Sequence, residues 1–191
     1  EGLPLLCLSG LTRDGRDFDF VATHLGGCRV IRLDYRGRGQ SDWADWQTYT
    51  VPVEARDALE LLDHLGLEKV AVLGTSRGGI ISMFLAATAK ARLMGVALND
   101  IGPELAEAGL ETIRDYIGRN PPQKTLAEAA EARARLIPGF ANVGRERWME
   151  EASRHYIETP NGLTINYDPK LRDAVLAEGE TPLPDLWPVF D

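Results

Sequence analysis

The sequence predicts an α/β fold, a parallel sheet covered by helices and followed by an inserted helical segment. Three observations carry that prediction. Over the first hundred residues, four short apolar runs alternate with stretches long enough for crossover helices. A serine flanked by glycines sits where the third of those runs meets a helical pattern. From Pro103 onward strand signals nearly vanish, and Ala, Glu and Arg dominate. Alternating strands and helices imply parallel pairing, because each crossover returns the chain to the same end of the sheet.

The apolar runs are LPLLCL (3–8), RVIRLDY (29–35), KVAVLG (69–74) and LMGVALN (93–99). Before the third, Ala55, Ala58, Leu59, Leu62 and Leu65 recur at helical spacing, and Gly66 supplies the stop. After the serine, GGIISMFLAATA reads as a second helix. Beyond Pro103 the helical stretches are Pro103–Gly118, Lys124–Ile137, Arg145–Glu158 and Pro169–Glu178. Turns at Pro121-Pro122, Pro138-Gly139 and Asn161-Gly162 separate them, and TPLPDLWPVF (181–190) reads as extended. Two units follow: a partial core at 1–102, and a helical cap with a return segment at 103–191.

With 191 residues, 44% of them apolar, the chain can bury a substantial core. A formal net charge of −8 argues against nucleic acid and against anionic membrane surfaces, both of which select clustered Lys and Arg. No run approaches the ~18 to 20 apolar residues of a membrane span, and the first residues lack signal-peptide features, so a cytoplasmic protein is expected. Cys7 and Cys28 fall near opposite ends of adjacent predicted strands, roughly 15 Å apart at about 3.3 Å per residue. That separation predicts free thiols. No metal-ligand spacing and no phosphate-binding glycine loop is present, and Gly37-x-Gly39 is followed by Asp42 where a dinucleotide site needs glycine. No cofactor is expected.

Gly74-Thr75-Ser76-Arg77-Gly78 matches G-x-S-x-G between a strand and a helix. That setting lifts a serine Oγ above the sheet on a sharp turn, where the helix start can stabilise developing negative charge. An ordinary helix-capping serine is the competing reading. With this motif, LLCLSGLTRDGRDF and LDYRGRGQSD, the chain resembles the α/β-hydrolase superfamily, in its ester-hydrolase-like branch with a helical cap. The resemblance implies Ser76 as nucleophile and an oxyanion hole made of the backbone N–H groups of Leu11 and Arg77. Ser9-Gly10-Leu11 stands where the family usually has His-Gly-x. Asp34 and Arg36 are expected to brace their loop rather than react.

A serine hydroxyl needs a base, and in this fold the chain order is Ser, acid, His. His24 and His64 precede Ser76, and His155 lies on a predicted cap helix, where a surface or packing role is expected. Asp100, at the end of the fourth predicted strand, is a fallback acid. The expectation is therefore an internal segment of a longer hydrolase, with acid and histidine outside residues 1–191 and with exposed strand edges that promote association. The expected substrate is a small ester, lactone or related acyl compound. Alternatives on the same fold are carbon–carbon bond hydrolysis, perhydrolysis, acyl transfer or a non-catalytic receptor; haloalkane dehalogenation would want an aspartate at position 76. Trp148, Met149, Tyr156 and Tyr167 are candidates either for pocket walls or for mutual packing.

Overall fold

A computed structural model describes residues 2–104, 107–137, 139–178 and 185–190. Four strands, β1 (Leu3–Leu8), β2 (Cys28–Leu33), β3 (Val70–Thr75) and β4 (Leu93–Asn99), form one sheet in the order β2-β1-β3-β4. Every pairing in it is parallel. In β1 the side chains alternate between two cores, as a period of two requires. Leu6 and Leu8 join Val70 and Val72 against α2 (Val51–His64) and α3 (Arg77–Thr88), through Ala58, Leu62, Ile81 and Leu85. Leu5 and Cys7 face the other way and pack with Phe18, which precedes the short α1 (Asp19–Ala22). The register sets Leu3 opposite Cys28, so Cys7 lies four residues up the neighbouring strand, and both thiols are free.

After β4 come α4 (Glu107–Tyr116), α5 (Leu126–Leu136), α6 (Arg145–His155) and α7 (Leu171–Glu178). Between α6 and α7 the sequence expectation needs correction. Residues 156–158, read as helix, belong to an antiparallel hairpin of β5 (Tyr156–Thr159) and β6 (Gly162–Ile165). Pro160-Asn161 is its turn, and Gly162, at φ 115°, opens β6. A two-residue turn between residues such as Tyr156, Ile157 and Thr164, closed by a glycine free to take a positive φ, favours a hairpin over a break between helices. Of the segment read as extended, residues 181–184 and the turn residue Pro138 lie outside the described residues, and Trp187–Phe190 forms a short 3-10 helix.

Tyr167 and Asp168 return from the hairpin to the loop after β2. Asp168 N–H donates to the Gly37 carbonyl at 2.8 Å, and the Tyr49 hydroxyl donates to Asp168 Oδ2 at 2.6 Å. Tyr167 is buried with Tyr49, Ile117 and Leu171 in a core of its own.

Candidate active site

Ser76 occupies the turn between β3 and α3 at φ 49° and ψ −115°, a backbone conformation disfavoured for any residue bearing a Cβ. The turn holds this shape because the chain around it is tied down. Ser76 N–H donates to Asn99 O at 3.1 Å, while Gly79 and Ile80 N–H donate back to Ser76 O at 2.8 and 3.1 Å. At Gly78 close approach is decisive: a Cβ there would stand 2.0 Å from the Leu8 carbonyl oxygen. Helix α3 can therefore cross β1 only at a glycine.

The loop after β1 lies against this turn. Gly78 N–H donates to Ser9 O at 3.0 Å. The point where a Cβ on Gly10 would sit is 4.0 Å from Ser76 Cβ and 3.3 Å from Arg13 Cγ. Leu11, one residue on, thus stands in the loop beside the serine, and Arg77 follows the serine in the chain.

Asp34 and Arg36 brace their loop as expected. The Asp34 carboxylate accepts from Gly15 N–H at 2.7 Å and Gln40 N–H at 2.9 Å, and Arg36 grips Asp57 through two bonds of 2.7 and 2.6 Å. The buried arginine of that loop is Arg38, which the sequence reading passed over. Its Nε donates to Leu11 O at 3.0 Å and its Nη1 pairs with Glu54 Oε1 at 2.7 Å. Glu54 Oε2 in turn accepts from Arg77 Nε at 2.9 Å. A signal for Glu54 exists in the sequence. It precedes Ala58 and Leu62 by four and eight residues, so a carboxylate falls on the buried stripe of α2.

None of the three histidines hydrogen-bonds to Ser76 among the described residues. His24 and His64 are exposed, the latter as its helical phase predicts. His155 Nε2 lies 2.9 Å from Glu151 Oε1 and also contacts Arg13 Nη1. Burial, reinforced by Arg13 and Arg133, outweighs Glu151 and pushes the imidazole down to about 4. Glu151, hydrogen-bonded to His155 and flanked by the same arginines, is held near 2. Asp100 is exposed at φ 54° beyond β4 and joins neither Ser76 nor a histidine.

A cavity of about 790 Å³ opens between the loop after β1, the ends of β3 and β4, and helices α5 and α6. Arg13, Thr75, Asn99, Arg133, Trp148 and Glu151 are among its walls. Of the four aromatic and methionine candidates, Trp148 lines it; Met149, Tyr156 and Tyr167 pack into apolar clusters.

Residues 4–157 match the alpha/beta hydrolase fold family. The chain belongs to the α/β-hydrolase family. It is 40% identical over 173 residues to the 3-hydroxybutyrate-oligomer hydrolase of Cupriavidus necator, covering 87% of this chain and 59% of that protein. Lipase LipV of Mycobacterium tuberculosis is 32% identical over 159 residues, again with 59% of its length covered. The crystal structure of an α/β hydrolase from Novosphingobium aromaticivorans superposes with a TM-score of 0.87 at 38% identity, covering all of this chain and 69% of that one. The chain thus spans about 59% of the length of these curated relatives.

Proposed function

We propose that the protein is a carboxylic ester hydrolase with Ser76 as nucleophile. The observation that carries this reading is the strained φ of 49° at Ser76 inside G-x-S-x-G, at the junction of β3 and α3. Ser76 Oγ attacks the ester carbonyl carbon while its proton passes to a histidine base, which this reading locates outside residues 1–191. The carbonyl oxygen becomes an oxyanion held by the N–H groups of Leu11 and Arg77. Collapse expels the alcohol, which takes the proton from the histidine, and leaves acyl-Ser76. Water, deprotonated by the same histidine, then attacks acyl-Ser76, and the histidine returns that proton to Ser76 Oγ as the carboxylic acid leaves.

The segment from α4 to α7 acts as a cap over the acyl pocket. The substrate is read as an ester of a short hydroxy acid, in line with the Cupriavidus relative.

The test uses the full-length protein. A fluorophosphonate probe should label it at Ser76, and Ser76→Ala should abolish labelling and lower hydrolysis of an aryl ester by several orders of magnitude with folding intact. Retained hydrolysis in Ser76→Ala would defeat the reading. Thermal shifts from ligands without any labelling would favour a receptor.

A further inference from the structure

The two nominated oxyanion donors sit in different parts of the fold, Leu11 in the loop after β1 and Arg77 at the start of α3. Both residues are anchored to a single buried carboxylate. Glu54 is fully buried, Arg38 is 1% exposed and Arg77 6%. From Leu11 O the connection runs 3.0 Å to Arg38 Nε, then from Arg38 Nη1 2.7 Å to Glu54 Oε1, and from Glu54 Oε2 2.9 Å to Arg77 Nε. Arg38 also donates to Arg36 O at 2.8 Å, with the rings of Tyr35 and Tyr49 at 5.5 and 5.3 Å. Arg77 Nη2 reaches Tyr49 O at 3.2 Å. We propose that Glu54 is a positioning residue for the hydrolysis: through Arg38 and Arg77 it fixes the spacing between the Leu11 and Arg77 N–H groups at the oxyanion.

The proposal rests on the ester-hydrolase reading. Stability alone does not call for this arrangement, because desolvating a buried ion triad costs enough that well-packed apolar side chains often serve as well or better. Between Arg38 and Glu54 the contact is an ion pair, and direction comes from the hydrogen bonds on either side of it, Arg38 Nε to Leu11 O and Arg77 Nε to Glu54 Oε2, a defined geometry that apolar packing lacks. Displacing a reacting or stabilising group by about 1 Å costs on the order of 100-fold in rate. Donor spacing is thus where the triad would act.

The experiment compares wild type with the triple variant Arg38→Met, Glu54→Leu, Arg77→Met of the full-length protein; the Arg77 backbone N–H survives its substitution. The variant should melt within a few degrees of wild type or above it, and KM for an aryl ester should stay within about threefold. Turnover should fall roughly 10- to 100-fold, and affinity for a boronic acid, which mimics the tetrahedral intermediate, should fall by a similar factor. A folded triple variant with wild-type kcat overturns the proposal. Should the triple variant not fold, Arg38→Lys keeps a cation beside Glu54 while removing the Nε donor to Leu11. The same kcat-selective loss is expected there, and an unchanged kcat, or one that merely tracks the melting temperature, overturns the proposal. Activity that survives Ser76→Ala removes the parent reading and this one with it, whereas an inactive Ser76→Ala beside a fully active triple variant removes only this one.

Discussion

A backbone held at φ 49° and ψ −115° with a Cβ attached costs about 1–3 kcal/mol, which the bonds around Ser76 must offset. Glycine carries no such penalty. Ser76→Gly is therefore expected to raise stability by about 1 kcal/mol, roughly 2–4 °C in melting temperature, while eliminating hydrolysis. Calorimetry of both forms checks it; a lower melting temperature would show that the turn is not strained. His155 makes a second prediction at this scale. Burial pushes its pKa down to about 4 in the folded protein, from the ordinary imidazole value of 6.5. Between about pH 6.5 and pH 4 the unfolded chain therefore binds a proton that the folded one refuses, so stability should fall as pH is lowered through that window. Above it the residue contributes no pH dependence. In His155→Gln, chemical unfolding across pH 4–7 should show a shallower decline than in wild type. Glu151 acts lower on the scale, where its stabilising ion pairs are lost only as pH falls from about 4.5 toward 2.

At the level of elements, β1, its following loop and α3 form one unit. The Ser9 carbonyl accepts from Gly78 N–H, and the Gly78 α-carbon rests on Leu8. If the Leu11 N–H stabilises the oxyanion, Leu11→Ala preserves the donor and Leu11→Pro deletes it. Turnover should drop about 100- to 1,000-fold in the proline variant and far less in the alanine variant. Equal losses in two folded variants would remove Leu11 from the oxyanion hole. The apolar runs place β1 to β4 within a residue or two and Gly66 places the end of α2, because alternation and helical spacing are local signals, while α2 begins at Val51, four residues before the first helically spaced residue, Ala55. The hairpin β5–β6 escapes those signals because Asn161-Gly162 reads equally as a spacer between helices, whereas in the fold Pro160-Asn161 turns the chain and Gly162 already pairs with Thr159.

Across the whole molecule, burial is uneven over the sheet. β1 is enclosed on both faces, whereas β4, at the edge of the four-stranded sheet, exposes Met94 at 57% and Val96 at 39%. Parallel strands are ordinarily buried on both faces, and an apolar edge is a template for further pairing. A polypeptide of residues 1–191 should consequently associate in solution, and Val96→Lys should reduce that association. Analytical ultracentrifugation of the two forms decides the matter, with a monomeric wild-type polypeptide as the contrary outcome.

By itself the sequence determined the four parallel strands, the strand-to-helix turn at Ser76, the free cysteines and the bracing roles of Asp34 and Arg36. The strands and the turn rest on residues close together in the chain, where spacing and glycine placement dictate backbone shape. The tertiary structure alone decided which charges are buried and what they hold. Arg36 and Arg38 are indistinguishable in LDYRGRGQSD, yet Arg36 grips Asp57 on a half-buried side of α2 and Arg38 lies buried against Glu54. His155 meets Arg13 across 142 residues of sequence, and Tyr49 meets Asp168 across 119. Such pairings depend on how completely the surrounding elements exclude water. Only packing sets that, because a charge is inexpensive in solvent and must find a partner once it is buried.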